Sequence, residues 1–224
     1  MNSHLDQLRS LFRNPETPGS YFFSLEGIEG SGKSTQIKHL SQALIHKGYK
    51  VLTLREPGGT VFGEKLREAI LAGKEPLHPL AEAHLFASAR AQLLKEKILP
   101  FLLNPGSVVI LDRYIDSSLA YQGKARGLGY ETILEIHAHD PLCLMPHRTF
   151  FLDIDLETSM GRQEHRSQAK DYFESEKVEF YTALMDGYRE LATIFPDRIV
   201  RIDASAPEET VSKIIQHDLA RLLT

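Results

Sequence analysis

The chain has 224 residues, 42% of them hydrophobic and 25% charged, an ordinary globular composition with enough apolar matter for one sizeable core. Its formal net charge of −4 offers no global basic field, so nucleic acid is not an expected partner. No apolar run is long enough to span a membrane and the N-terminal segment, with Asp6, Arg9 and Arg13, has no signal-peptide core, so a cytoplasmic protein without membrane attachment is expected.

Leu5, Leu8, Leu11 and Phe12 carry the spacing of one or two amphipathic helical turns, and Asn14-Pro15-Glu16-Thr17-Pro18-Gly19-Ser20 then breaks any helix. Residues 1–20 are thus an N-terminal extension, loosely packed or docking, ahead of a domain at 21–224. Tyr21 to Leu25 is a short β run that enters a glycine-rich loop. Thr35 to Lys47 reads as a helix stopped by Gly48, and Lys50 to Leu54 as a second strand. Val61 to Leu71 is helical in pattern, and a longer helical stretch runs from about Leu80 to Pro100 or slightly beyond. After the turn Asn104-Pro105-Gly106, Val108 to Leu111 is a buried strand. The one cysteine, Cys143, excludes an intrachain disulfide and reads, beside Leu144 and Met145, as a small core hydrophobe. Thr149 to Ile154 is a strand with Asp155 as helix N-cap, Glu174 to Ile194 a long helix, and Ile199 to Ile202 the last strand. Ser205-Ala206-Pro207-Glu208 has the form of a capping box for a final helix. Short apolar strands alternating with helices predict βαβ units: an α/β three-layer sandwich with a mostly parallel, doubly wound sheet.

Gly27-Ile28-Glu29-Gly30-Ser31-Gly32-Lys33-Ser34 satisfies the phosphate-loop pattern G-x-x-x-x-G-K-[ST], with Thr35 next in the helix. Glycines let backbone N–H groups turn toward phosphate oxygens, and the following helix aims its positive end at the same anion. Lys33 reaches the β- and γ-phosphates of ATP, and the Ser34 hydroxyl suits Mg²⁺. Val108-Val109-Ile110-Leu111-Asp112 adds the matching strand that delivers a carboxylate, Asp112, near the metal. No Asn-Lys-x-Asp run for guanine is present, which argues against a GTPase.

Three segments identify the acceptor. Leu54-Arg55-Glu56-Pro57-Gly58-Gly59-Thr60 resembles the Arg-Glu-Pro-Gly-Gly segment of thymidylate kinases. The run from Asp112-Arg113-Tyr114 through Ser118, Tyr121, Gln122 and Gly123 resembles that family's second signature, and Phe86 and Arg90, one turn apart, its base-binding pair. The resemblance covers about residues 21–224 and implies a P-loop nucleoside-monophosphate kinase, usually a homodimer, that phosphorylates dTMP with Mg-ATP. It implies that Arg55, Arg67 and Arg113 surround the acceptor phosphate, a task suited to planar guanidinium forks, although Arg67 alone would read as a solvated helix charge. It further implies that Phe86 stacks on thymine, that Arg90 and Gln122 bond its edge with Ser118 nearby, and that Tyr121 crowds the sugar 2′ position. Glu29 stands where family members carry an acid that holds the 3′-hydroxyl or positions the acceptor.

A phosphomonoester is already anionic at neutral pH, its second pKa being about 6, so catalysis should rest on alignment and charge neutralisation rather than on a strong base. Some family members carry a catalytic arginine in the phosphate loop. Here that loop has none, and a polar lid at about 161–172, with Arg162, Arg166 and Lys170, is expected to supply it. Arg166 or Arg162 would reach the γ-phosphate; by resemblance Arg162 instead stacks on adenine, with Asp203-Ala204-Ser205 in the adenine pocket. His137-Ala138-His139-Asp140 reads as structural or solvated, since residues two apart do not share a helix face. Two other readings stand beside this one. A deoxynucleoside kinase would need a base, for which Glu56 is placed, but would not need both Arg55 and Arg67. A non-enzymatic ATP-dependent switch would not need Lys33, Ser34, Asp112 and Arg113 intact.

Overall fold

Each short apolar run becomes a strand. In the computed structural model, which describes residues 3–71, 77–164 and 176–223, these are β1 (Tyr21–Glu26), β2 (Lys50–Arg55), β3 (Ser107–Asp112), β4 (Arg148–Asp153) and β5 (Ile199–Asp203). They pair parallel throughout in the order β2-β3-β1-β4-β5. The three inner strands are buried almost along their length, as a sheet covered on both faces requires. The register sets Leu25 and Arg55 each opposite Asp112, so three strands deliver the phosphate loop, Asp112 and the Arg55-Glu56 turn to one edge of the sheet.

The described helices are α1 (Ser3–Arg9), α2 (Lys33–His46), α3 (Val61–Leu71), α4 (Pro79–Leu93), α5 (Leu99–Leu102), α6 (Ile115–Ser118), α7 (Tyr130–His137), α8 (Leu156–Glu164), α9 (Val178–Ile194) and α10 (Glu208–Leu222). The long stretch expected from Leu80 is continuous, but a wider π-type turn at Leu94–Ile98 joins α4 to α5. A second such turn, Leu119–Ala125, extends α6 and carries Tyr121 and Gln122; widened turns of this kind concentrate at functional sites. Asp155 caps α8 as expected, accepting from Thr158 N–H at 2.7 Å. The capping box does not form: Ser205 is taken by Asp203, its N–H and Oγ both donating to Asp203 Oδ1, and α10 starts only after Pro207. The expected start of the long helix at Glu174 lies outside the described residues. Among those residues no helix is long and apolar enough to cross a membrane.

The extension is anchored rather than loose. Leu8 is buried, α1 lies on α7, and the chain at Arg13 pairs with the segment before β4: Arg13 N–H donates to Cys143 O at 3.0 Å and Met145 N–H to Arg13 O at 2.7 Å. The Asn14 side chain donates to the carbonyls of Met145 and Pro146. Arg9 and Arg198 both lie over the Phe195 ring, within 4.9 Å of its centre.

Under this corner Asp116 is 1% exposed and held by both Arg198 amino groups at 2.7 Å, with the Thr149 hydroxyl donating as well. Removing one partner of such a pair strands a buried charge. Arg198→Met should therefore lower unfolding free energy by about 3–5 kcal/mol in urea titrations, and a loss below about 1 kcal/mol would show that the pair does not clamp α6 to the sheet.

Candidate active site

The site starts where β1 ends. From the fully buried Glu26 the chain turns through Gly27 (φ 140), Gly30 (φ 75) and Gly32 (φ 93) into α2. At Gly27 a Cβ would stand 2.6 Å from Leu152 O, and at Gly30 2.9 Å from Ser159 O, so packing as well as backbone angle demands glycine at both. Lys33 folds back over the loop, its Nζ donating to Gly27 O and Ile28 O, both at 3.1 Å. Burial, then the Arg113 charge, pushes its pKa down to about 8. Ser31 Oγ is buried without a hydrogen-bond partner at the centre of this cradle. Ser34 is exposed at the first turn of α2 and Asp112 half-buried at the end of β3. These oxygen donors suit a hard divalent ion, and the unpaired Ser31 hydroxyl suits a phosphate oxygen, so the residues fit Mg²⁺ and a polyphosphate.

The loop divides two clefts. Glu29 lines the first with Arg67, Phe86, Arg90, Arg113, Ser118, Tyr121 and Gln122, and with Glu56, Tyr114, Ser117 and Tyr181. Gly30, Ser31, Gly32 and Thr35 line the second with Gln36, Arg162, Ala204 and Ala206. Arg55 lies outside the first lining. It is exposed, with Nη2 3.0 Å from Glu64 Oε2 and Nη1 donating to Pro57 O, whereas Arg67 reaches inward over the same carbonyl. Arg162 is held in the second cleft, donating to Gly30 O at 3.2 Å and Ala204 O at 3.0 Å. Arg166 and Lys170 lie outside the described residues.

At the deep end of the first cleft Arg90 is 2% exposed and largely engaged. Its Nε donates to Glu56 Oε2 at 2.7 Å, Nη2 lies 2.6 Å from the same oxygen, and Nη1 serves Ser118 Oγ (3.1 Å) and His137 Nε2 (2.6 Å). His137 is a buried acceptor, its Nδ1–H directed at Ile133 O; burial, then Arg90, pushes its pKa down to about 3, so the ring is neutral. Burial also raises the Glu56 carboxyl, with Arg90 opposing. Gln122 donates to Glu82, a wholly buried acid on the same face of α4 as Phe86 and Arg90. The sequence reading passes over Glu26, Glu82, Tyr181 and Tyr188. The signal for Glu82 was its spacing, four residues before Phe86 and eight before Arg90.

Comparisons with known proteins place the chain in a family. A family model described as thymidylate kinase matches residues 25–215. A thymidylate kinase of Thermoanaerobacter sp. (strain X514) is 44% identical over 182 residues, covering 81% of this chain and 88% of that protein. One from Alkalilimnicola ehrlichii is 40% identical over 204 residues, 91% and 94% of the two chains. The crystal structure of thymidylate kinase from Ehrlichia chaffeensis shares the fold with a TM-score of 0.72 at 30% identity, covering 91% of this chain and 100% of that one. The chain belongs to the thymidylate kinase family.

In this thymidylate kinase family member Arg113 joins the two halves of the site. Its backbone has φ 70, a conformation that costs a non-glycine residue about 1–3 kcal/mol and marks a constrained position. Its Nη2 is 4.0 Å from Glu29 Oε2, while Nη1 donates to Ser117 Oγ (3.3 Å) and the Tyr188 hydroxyl (3.2 Å). Both hydroxyls donate onward to Glu26 Oε2, and Glu26 Oε1 accepts from Tyr114 N–H at 2.7 Å. Burial, then the nearby Asp116 charge, pushes the Glu26 carboxyl up to about 8 from an ordinary 4.5. The folded state therefore holds the extra proton between these values, the carboxyl O–H then donating to one of the two hydroxyl oxygens, and stability from Glu26 is full below about 4.5 and lost as pH rises through about 8. Glu26→Gln should flatten the decline of unfolding free energy between pH 5 and 8 by on the order of a few kcal/mol; equal slopes for variant and parent in urea titrations would contradict the assignment.

Proposed function

We propose that the protein transfers the γ-phosphoryl group of ATP to the phosphate of dTMP, giving ADP and dTDP, with ATP in the second cleft and dTMP in the first. Family membership makes it an enzyme, a dTMP kinase. The observation that carries the pose is the divided loop: Glu29 faces one cleft and Gly30 to Gly32 the other, while Lys33 Nζ lies on the Gly27 and Ile28 carbonyls of the same loop. Phosphates on the two sides would meet across that loop.

The residues then take distinct tasks. Lys33 exchanges the Gly27 and Ile28 carbonyls for the β- and γ-phosphates, and the loop N–H groups bind the same oxygens. Ser34 and Asp112 would hold Mg²⁺, which supplies charge neutralisation at the phosphate oxygens. Arg67 and Arg113 bind the acceptor phosphate, Arg113 in an orientation already set by Ser117 and Tyr188. Arg55 serves at the rim, where its pair with Glu64 would have to open before it reached a ligand. Phe86 stacks on the base, Arg90, Ser118 and Gln122 meet its edge, and Tyr121, under the Arg113 guanidinium at 5.2 Å, borders the sugar with Glu29. Arg162, fixed between Gly30 and Ala204, frames the adenine, which leaves Arg166 as the lid residue for the γ-phosphate. The acceptor oxygen is ionised in solution and needs no base. Glu56, which a nucleoside kinase would need as its base, is bound by Arg90, so the geometry does not favour that alternative. A cytoplasmic homodimer accords with the family.

ADP release should be followed with Mg-ATP against dTMP, dUMP, dCMP, UMP, AMP and thymidine. dTMP should give the highest kcat/KM, Arg113→Ala should lower kcat by roughly 10²- to 10³-fold, and Phe86→Ala should raise KM for dTMP by about tenfold with less effect on kcat. Preferred turnover of thymidine, or of a purine monophosphate, would overturn the pose.

A further inference from the structure

We propose that Glu82 is a specificity-positioning residue: it fixes the side-chain amide of Gln122 so that its carbonyl oxygen faces the nucleobase, and by this it excludes cytosine. The inference rests on the reading above that the base lies against Phe86, Arg90 and Gln122.

Glu82 has no exposed surface, and Gln122 is 2% exposed. Gln122 Nε2 donates to Glu82 Oε1 at 2.7 Å, and Arg126 Nη2 lies 3.4 Å from Glu82 Oε2. Glu82 thus faces an N–H donor on each oxygen and acts as an acceptor only. Rotating the amide by half a turn would set its carbonyl against the carboxylate, two acceptors abutting where both side chains are buried, so the orientation is dictated by chemistry. The amide therefore turns Oε1 away from Glu82, toward the cleft that Gln122 lines. Arg90 is fixed in the complementary sense. Glu56, Ser118 and His137 occupy Nε, both hydrogens of Nη1 and one of Nη2, leaving one Nη2 hydrogen, a donor, for a ligand.

A donor beside an acceptor matches the O4 and N3–H edge of thymine or uracil. Cytosine offers the reverse, an amino group and an unprotonated N3, and would meet donor with donor and acceptor with acceptor. Mismatched buried polar groups reject a ligand far more strongly than a missing methyl group does. Glu82 supports this polarity without touching the base, from the same helix face that carries Phe86 and Arg90.

With an amide at position 82, Arg126 takes its oxygen and the NH2 group faces Gln122, which favours the rotamer that turns the Gln122 amide NH2 toward the base. Glu82→Gln should therefore lower the ratio of kcat/KM for dTMP over dCMP by at least about tenfold, through a lower KM for dCMP, while the dTMP over dUMP ratio stays within about twofold. The exchanged pair E82Q/Q122E, which restores an acceptor toward the base, should return most of the dTMP over dCMP ratio. If Glu82→Gln reduces all three substrates alike, or leaves the dCMP ratio unchanged, Glu82 does not set the polarity. Should Glu82→Gln melt below the assay temperature, Glu82→Asp, whose carboxylate is withdrawn from Gln122, carries the same expectation. Gln122→Leu separates the two levels. A dTMP over dCMP ratio untouched by Gln122→Leu would mean that the base is not read there, and the pose fails. A ratio lowered by Gln122→Leu but not by the Glu82 variants would overturn only the role of Glu82.

Discussion

The site depends on one buried carboxyl group. Glu26 closes β1 and simultaneously accepts from the Tyr114 backbone N–H, the Ser117 hydroxyl and the Tyr188 hydroxyl. These donors belong to three separate parts of the chain: the turn after β3, α6 and α9. Their convergence fixes the phosphate loop, which begins one residue after Glu26, against the turn that carries Arg113. Parallel pairing of β1 with β3 brings the two strand ends to one level, but register alone does not aim a side chain. The hydrogen bonds that Arg113 donates to Ser117 and Tyr188 do so, and they hold a backbone with φ 70 that an isolated turn would relax. A group that must meet a phosphate in line gains most from being oriented beforehand.

The same logic recurs at the base end with different partners. Arg90 is sunk in the protein with most of its N–H groups already bound, which lowers what it can contribute to affinity but leaves it only one way to present itself. Glu56 balances its charge, and His137 stays neutral because a second cation beside Arg90 would be costly in a buried site. In the proposed pose, affinity for the base comes chiefly from the aromatic face of Phe86, and discrimination from the fixed polar groups of Arg90, Ser118 and Gln122. Phe86 and Arg90 fall on one helix, because residues spaced by four along α4 share a face.

How much of this the sequence reveals follows the range of the interactions. The phosphate loop is a local object, complete in eight consecutive residues, and the strand–loop–helix context lies next to it, so it reads directly. The pattern of strands and helices reads for the same reason, and the sheet's parallel order follows from their alternation. Phe86 and Arg90 are readable as a pair on one helix face. Glu82 is not, because an acid on a helix usually faces solvent, and its partners Gln122 and Arg126 lie 40 and 44 residues further along the chain. His137 was set aside on spacing within its own helix, whereas its partner comes from α4, 47 residues away. Arg55 matches its motif, yet on the edge strand β2 it turns outward to Glu64, and a motif carries no side-chain direction. Ser205 has the spacing of a capping box but lies nearer to Asp203, a competitor that spacing cannot weigh. Residues 1–20 appeared separable because their composition breaks the pattern, while their anchors, the carbonyls of Cys143, Met145 and Pro146, are far along the chain.

The two clefts differ in how much of their geometry is settled before ligands arrive. Around the first cleft, where the proposed pose puts the acceptor, the polar groups are held by buried partners from several elements, and Arg113 is oriented from behind. On the donor side Lys33 is satisfied by its own loop, a provisional arrangement, since the carbonyls of Gly27 and Ile28 are weaker partners for an ammonium group than phosphate oxygens. Lowering the lysine's proton affinity by burial adds to the contrast: a bound polyphosphate would restore it, so ligand binding and charging of Lys33 reinforce one another. In the proposed pose the acceptor thus meets a frame already held in place, whereas the donor phosphates replace the provisional partners of Lys33. Such an order suits an enzyme that must choose one monophosphate among several similar ones while using a triphosphate held mainly by its phosphates.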